Sequence, residues 1–169
     1  FKCPKLLEYI FAFFGALTSQ GGAISWVATH RYHHIASDTD NDPHTPRHGF
    51  WWAHIMWMLH SSNHVPVEAR RLVHLPLLRW QQKHHFTLGV LVGLMLPAAL
   101  GALWGDWLGG LLVGGFLRLA VQYHGTWAIN SVAHRFGPWR YSSRITARAC
   151  YWVLTFTVGE WNHEGHHLA

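Results

Sequence analysis

The chain has 169 residues, half of them hydrophobic and only 12% charged, with 11 Trp and 16 His. The length fits a single domain over residues 1–169, and so little charge in so aromatic a chain points to an all-α integral membrane protein rather than a water-soluble one. The formal net charge of +5 does not indicate nucleic acid, because the basic residues are scattered among Trp and Leu, as cationic residues beside a bilayer are.

Residues 6–17 form an apolar run too short to cross a membrane, ending at Thr18-Ser19-Gln20-Gly21-Gly22. Lys2 and Lys5 precede it and Arg31 follows, so a helix lying in the interface or on a cytoplasmic cap is expected. Next comes His30-Arg31-Tyr32-His33-His34. Histidines at i, i+3 and i+4 share one helical face, with Cβ atoms roughly 5–6 Å apart. Residues 38–48 are polar and turn-forming and read as an ordered loop. Residues 50–59, with Trp51, Trp52 and Trp57, read as a second interfacial segment.

Residues 86–104 hold no charge over 19 positions, close to the roughly 20 that a spanning helix needs. Pro97 should kink this helix, which membrane helices tolerate when a neighbour satisfies the freed carbonyl. Gly105-Asp106 makes a turn, and residues 107–127 run back, giving a transmembrane hairpin with Trp at its margins. Arg70, Arg71, Arg79 and Lys83 precede the hairpin, and Arg135, Arg140, Arg144 and Arg148 follow it, whereas the turn carries only Asp106. By the positive-inside rule both flanks face the cytoplasm, in a helical cap. The chain closes on a second cluster, His163-Glu164-Gly165-His166-His167. Cys3 and Cys150 are too few for a disulfide framework and read as packing residues.

Two clusters of three imidazoles on one side of a membrane suit two metal ions, and imidazole suits Fe, Cu, Zn or Ni. His48, His60, His64, His74, His84, His85 and His124 are read as surface or packing residues. Metal-bound histidines commonly donate their second ring N–H to a carboxylate, for which Asp38, Glu160 and Glu164 are candidates.

The sequence around the first cluster, with Ser37-Asp38-Thr39-Asp40, Asp42-Pro43-His44, Gly49-Phe50-Trp51-Trp52 and His54, resembles the second histidine box of the membrane fatty acyl desaturases of the stearoyl (Δ9) type. Phe116-Leu117-Arg118, Thr126-Trp127, Asn130-Ser131 and Ala133-His134 resemble the family's last transmembrane helix, and Gly159-Glu160 before His163 resembles its third box. The resemblance implies a non-haem centre of two Fe ions held by His30, His33, His34, His134, His163, His166 and His167, with Asn130 acting through water. The i, i+4 spacing of Asn130 and His134 would place both on one helical face. His44 and His54 have no ligand role by this pattern. Trp26 and Trp127 match aromatic residues lining the family's acyl tunnel. The implied reaction is O2-dependent desaturation of an acyl-lipid or acyl thioester chain, with electrons from a ferredoxin or a cytochrome b5-like donor.

Two departures from the pattern bear on these expectations. The family's first box, H-x-x-x-x-H, is expected upstream of Phe1, which makes the chain a fragment that by itself is inactive. Ala28-Thr29 and Ser61-Ser62 stand where acyl-CoA enzymes carry head-group contacts, which favours the bacterial or cyanobacterial acyl-lipid type. Competing readings are a hydroxylase or ketolase of the same superfamily, a non-enzymatic membrane metal-binding protein, and a bis-histidine haem protein.

Overall fold

The computed structural model describes residues 4–60, 72–151, 157 and 162–168, and among these all regular elements are helical. The helices are α1 (Lys5–Ala16), α2 (Ala23–Ala36), α3 (Phe50–His54), α4 (Pro76–Ala102), α5 (residues 107–131) and α6 (His163–Leu168), with short 3-10 turns at Pro46–His48, Met56–Leu59 and Leu72–His74. The chain divides into two compact units, Phe1–Ala28 with Val65–Tyr123, and Thr29–His64 with His124–Ala169. Cys3, Lys2, Ser61, Ser62, His64, Arg70, Arg71 and Glu160 lie outside the described residues.

In the first unit, α4 and the front of α5 pack as an antiparallel pair. Leu103, Trp104 and Gly105 turn the chain, Gly105 at φ +83°, and Asp106 caps α5 by accepting from the Gly109 N–H at 2.7 Å. The two backbones come very close. A Cβ on Gly110 would lie 2.3 Å from the Pro97 carbonyl oxygen, so only glycine fits there. The uncharged stretch 86–104 is the second part of a longer helix, α4, which begins at Pro76, while Leu103 and Trp104 belong to the turn. Among the described residues only α4 is long and apolar enough, by length and composition, to cross a membrane.

Pro97 has a visible effect. It has no N–H to give the Gly93 carbonyl, and α4 is π-helical over Leu91–Met95, one turn ahead of it. The Gly93 oxygen is filled instead by Arg118 Nη2 at 3.1 Å. The same guanidinium donates to the Leu17 carbonyl at the end of α1 (3.3 Å), to the Gly114 carbonyl (3.0 Å) and to Gln122 Oε1 (3.2 Å). One charged side chain thus satisfies carbonyls that both a proline and a helix end leave open. Gln81, buried on α4, acts similarly, accepting from Ala23 N–H (2.9 Å) and donating to the Ala12 carbonyl (3.3 Å).

The second unit is built around small residues. Val132, Ala133 and Cys150 form its buried apolar cluster, with Phe50 and Ala128 against it. After α5 the chain turns sharply and doubles back, with Arg148 N–H on the Ala133 carbonyl (2.8 Å) and Ala149 N–H on the Pro138 carbonyl (3.1 Å). Ala149 then pairs with Asn162 in an isolated antiparallel bridge that leads into α6. The loop expected over residues 38–48 is a series of turns, and Asp38 at its start takes a left-handed backbone, φ +63°.

Candidate metal centre

All three histidines of the first cluster lie on α2 and all three of the second on α6, so the i, i+3, i+4 spacing acts as expected on both helices. His134 differs. α5 ends at Ser131 and His134 is in the turn that follows, so Asn130 and His134 do not share a helical face. The helix stops because the Ala133 N–H reaches back five residues to the Ala128 carbonyl, which opens the turn that carries His134. Asn130 is half-buried in the last turn of α5.

The seven histidines meet in two groups. The first is His30, His34 and His166, whose Nε2 atoms form a triangle with sides of 3.1, 3.2 and 2.9 Å. The second is His33, His134, His163 and His167, linked Nε2 to Nε2 at 3.2 Å (His33 to His167), 3.1 Å (His167 to His163) and 2.9 Å (His163 to His134). The donors of each group lie within 4.8 Å of one another.

Protons alone cannot satisfy either group. An imidazole nitrogen at any moment is a donor or an acceptor, so in a ring of three at least one pair is alike. In the second group two tautomers are fixed from behind. His33 Nδ1 lies 2.9 Å from Asp42 Oδ1 and donates to it. His134 Nδ1 lies 2.8 Å from Thr146 Oγ1, whose single proton is already given to Asp38 Oδ1, so His134 must be the donor. His33 and His134 therefore present Nε2 lone pairs. His163 and His167 could each donate to one of them, but the His163–His167 contact would then lack an acceptor. A cation accepts every lone pair at once. Imidazole nitrogens about 2.1 Å from one ion stand roughly 3.0 Å apart at octahedral and 3.4 Å apart at tetrahedral angles, and the observed spacings of 2.9–3.2 Å lie near the octahedral end. The donor set fits a metal ion in each group.

Electrostatics keep these imidazoles in the form that can bind a metal. Burial first, and then the neighbouring histidines, push His33 down to about 2 and hold His134 and His167 well below the ordinary imidazole range. They are neutral at physiological pH, as ligands must be. Burial raises the Asp42 carboxyl to about 6, against the pull of His44, so it is ionised at neutral pH. The close His33–Asp42 contact is therefore a neutral imidazole donating to a carboxylate rather than an ion pair. Burial also lowers His44 to about 3.

Of the three carboxylates expected behind the ligands, Asp38 acts through Thr146, and Glu160 lies outside the described residues. Glu164 accepts the backbone N–H groups of Arg140 (2.5 Å), Tyr141 (2.7 Å) and Ser142 (2.5 Å), tying the loop after His134 to α6. Asp42 and Thr146 were not foreseen. The only sequence signal for Asp42 is its place in the matching Asp42-Pro43-His44 segment.

The expected acyl-chain residues have different settings. Trp127 is buried at 7% exposure and packs edge-on to His54 and His124 at ring distances of 5.8 and 5.3 Å. His54, read as without a ligand role, bonds His124 (3.1 Å) and Ser131 Oγ (2.9 Å), outside both Nε2 groups. Trp26, one turn before His30 in sequence, is 44% exposed.

Comparison with known proteins bears on the same residues. The family model described as fatty acid desaturase matches residues 2–169. The sn-1 stearoyl-lipid 9-desaturase of Anabaena variabilis is 39% identical over 99% of this chain and 60% of its own length. The protein of the same name from Synechocystis sp. is 38% identical, over 99% of this chain and 52% of its own. The Delta-9 acyl-lipid desaturase 1 of Arabidopsis thaliana is 35% identical, over 99% and 54%. The chain thus spans between half and three-fifths of the length of these relatives. With the match running through every element that carries a clustered histidine, the chain belongs to the fatty acid desaturase family.

Proposed function

We propose that this chain is the histidine-rich part of a membrane enzyme that introduces a cis double bond, at Δ9, into a fatty acyl chain of a membrane lipid. The observation that carries the reading is the pair of Nε2 groups, which proton placement cannot satisfy and which two ions can. His30, His34 and His166 would hold one iron, and His33, His134, His163 and His167 the other, with Asn130 acting through water and further ligands coming from elsewhere in the protein. The names of the relatives, two stearoyl-lipid and one acyl-lipid desaturase, support the lipid-bound substrate.

Turning –CH2–CH2– into –CH=CH– with O2 takes two further electrons and two protons and yields two waters. When bound, the irons supply the oxidising power that activates O2 against strong C–H bonds, which no side chain can do. The chain's own residues do the rest. Asp42 and Thr146 hold His33 and His134 in the tautomer that turns Nε2 to the centre. Trp127, and separately Trp26, are proposed as acyl-chain contacts that help exclude water. The two electrons would come from a ferredoxin or a cytochrome b5-like protein.

The pair α4 and α5 is proposed as a transmembrane hairpin. Its outer residues support this, for Leu103 and Trp104 at the turn are 79% and 72% exposed, and Leu91, Leu100, Val113 and Phe116 are also exposed. Arg79 and Lys83 before the apolar stretch and the arginines from Arg135 onward support cytoplasmic flanks.

The test is the fatty acid profile, by gas chromatography and mass spectrometry, of cells expressing the full-length gene or its His166→Ala variant. A new cis-Δ9 monoene that is lost in the variant is expected. Hydroxylated chains would move the protein to the oxygenases of the superfamily, and an unchanged profile in cells supplied with both donor types would overturn the proposal.

A further inference from the structure

We propose that the turn from Asp38 to Asp42 is the orienting device of one metal position, that of His33, His134, His163 and His167, and that Asp38, Asp42 and Thr146 are its positioning residues. This rests on the two-ion reading above. Two separate contacts carry it. Asp42 Oδ1 accepts the His33 Nδ1 proton at 2.9 Å and also the His44 backbone N–H at 3.1 Å, which fixes the carboxylate before it meets the imidazole. Asp38 is gripped by both donors of Thr146, its hydroxyl and its N–H, the latter at 2.9 Å, and the hydroxyl in turn receives the His134 Nδ1 proton at 2.8 Å.

The two carboxylates are four positions apart, yet the ligands they serve are 101 positions apart. One turn therefore sets the ring orientation of a ligand from α2 and of another from beyond α5. Asp38 adopts φ +63°, a conformation that L residues other than Asn and Asp rarely take and that persists where surrounding contacts demand it. Here the demand is the double grip of Thr146. Among the described residues, Asp42 Oδ2 and His44 Nδ1 are buried without a hydrogen-bond partner, His44 Nδ1 standing 3.7 Å from Asp42 Oδ1. An imidazole that donates to a carboxylate is also a more basic ligand at its other nitrogen, so the same contacts raise affinity as well as fix direction.

The inference predicts a selective defect. Full-length protein from cells grown on 57Fe is purified in detergent and dialysed against a ferrous chelator, and iron per protein and the Mössbauer spectrum are followed. Asp42→Asn and Thr146→Val should weaken one of the two irons by roughly 10- to 100-fold, so that half the iron and one spectral component leave first. Asp42→Glu and Thr146→Ser, which keep the carboxylate and the hydroxyl, should restore both irons, which a folding defect would not do. Asp40→Asn, in the same turn but with a side chain 75% exposed, should match the wild type. Loss of both irons together, loss of neither, or an Asp40→Asn defect equal to that of Asp42→Asn would overturn the inference. Wild-type protein that holds no transition metal would instead sink the two-ion reading beneath it.

Discussion

Replacing Arg118 by Leu tests the account of the apolar helix pair. The guanidinium satisfies the Gly93 carbonyl, which Pro97 leaves open, and the Leu17 carbonyl at the end of α1. Leucine keeps the bulk but leaves both oxygens without the guanidinium donor, within the helix pair proposed to span the membrane. Each stranded carbonyl costs about 1–3 kcal/mol, so the variant should lose about 2–6 kcal/mol. Stability is measured by denaturant or thermal unfolding of the full-length protein in detergent, with helical content as the signal. A double-mutant cycle isolates the cause. Pro97→Ala returns an N–H four residues beyond Gly93, so in that background Arg118→Leu should cost about 1–3 kcal/mol less than in the wild type. Arg118→Lys, with a single ammonium, should fall between wild type and Leu. An Arg118→Leu protein as stable as the wild type, or a cost unaffected by Pro97→Ala, would refute the reasoning.

Two further outcomes follow from the second unit. Glu164→Gln should loosen the loop at Arg140–Ser142, seen as amide exchange there faster by roughly an order of magnitude, since the charge-assisted bonds are the stronger kind. Desolvation alone would raise the Glu164 carboxyl, but the three N–H groups and Arg140 outweigh it and lower the value below its ordinary 4.5. Its contribution is therefore complete above 4.5 and lost only as pH falls through the lower folded value, so the wild-type loop should open in acid and the Gln variant should show no such step. In the metal-stripped protein, His33, His134 and His167 stay neutral when folded but take up protons near 6.5 when unfolded. Stability should accordingly fall as pH drops below about 6.5, read as a declining Tm between pH 7.5 and 5. A flat profile would contradict the burial assigned to these rings.

What could be read from the sequence was whatever depends on local spacing. The two histidine triplets needed only the helical repeat to predict a shared face, and the break after residue 17 and the turn at Gly105-Asp106 needed only glycine and local polarity. Contacts made by the tertiary fold were not legible. Asp42 reaches His33 because the loop folds back over nine residues, and Thr146 joins Asp38 across 108, a pairing that no local pattern encodes. His134 shows the limit of periodicity, since i+4 from Asn130 suggests a common face only while the helix continues, and it does not. The need for a partner at the carbonyl freed by Pro97 could be foreseen, but not that Arg118 would supply it.

The 136 positions between His30 and His166 also have a meaning in time. Translation at roughly 5–20 residues per second leaves His30 and His34 waiting about 7–27 s for the His166 that completes their group. During that interval the pair would be an incomplete site, open to whichever divalent ion is most abundant or binds imidazole most strongly, and copper and zinc outrank iron on that scale. With iron as the proposed occupant, this order of synthesis favours loading after α6 has docked, and makes the cell's control of free copper and zinc a condition for obtaining the proposed iron form.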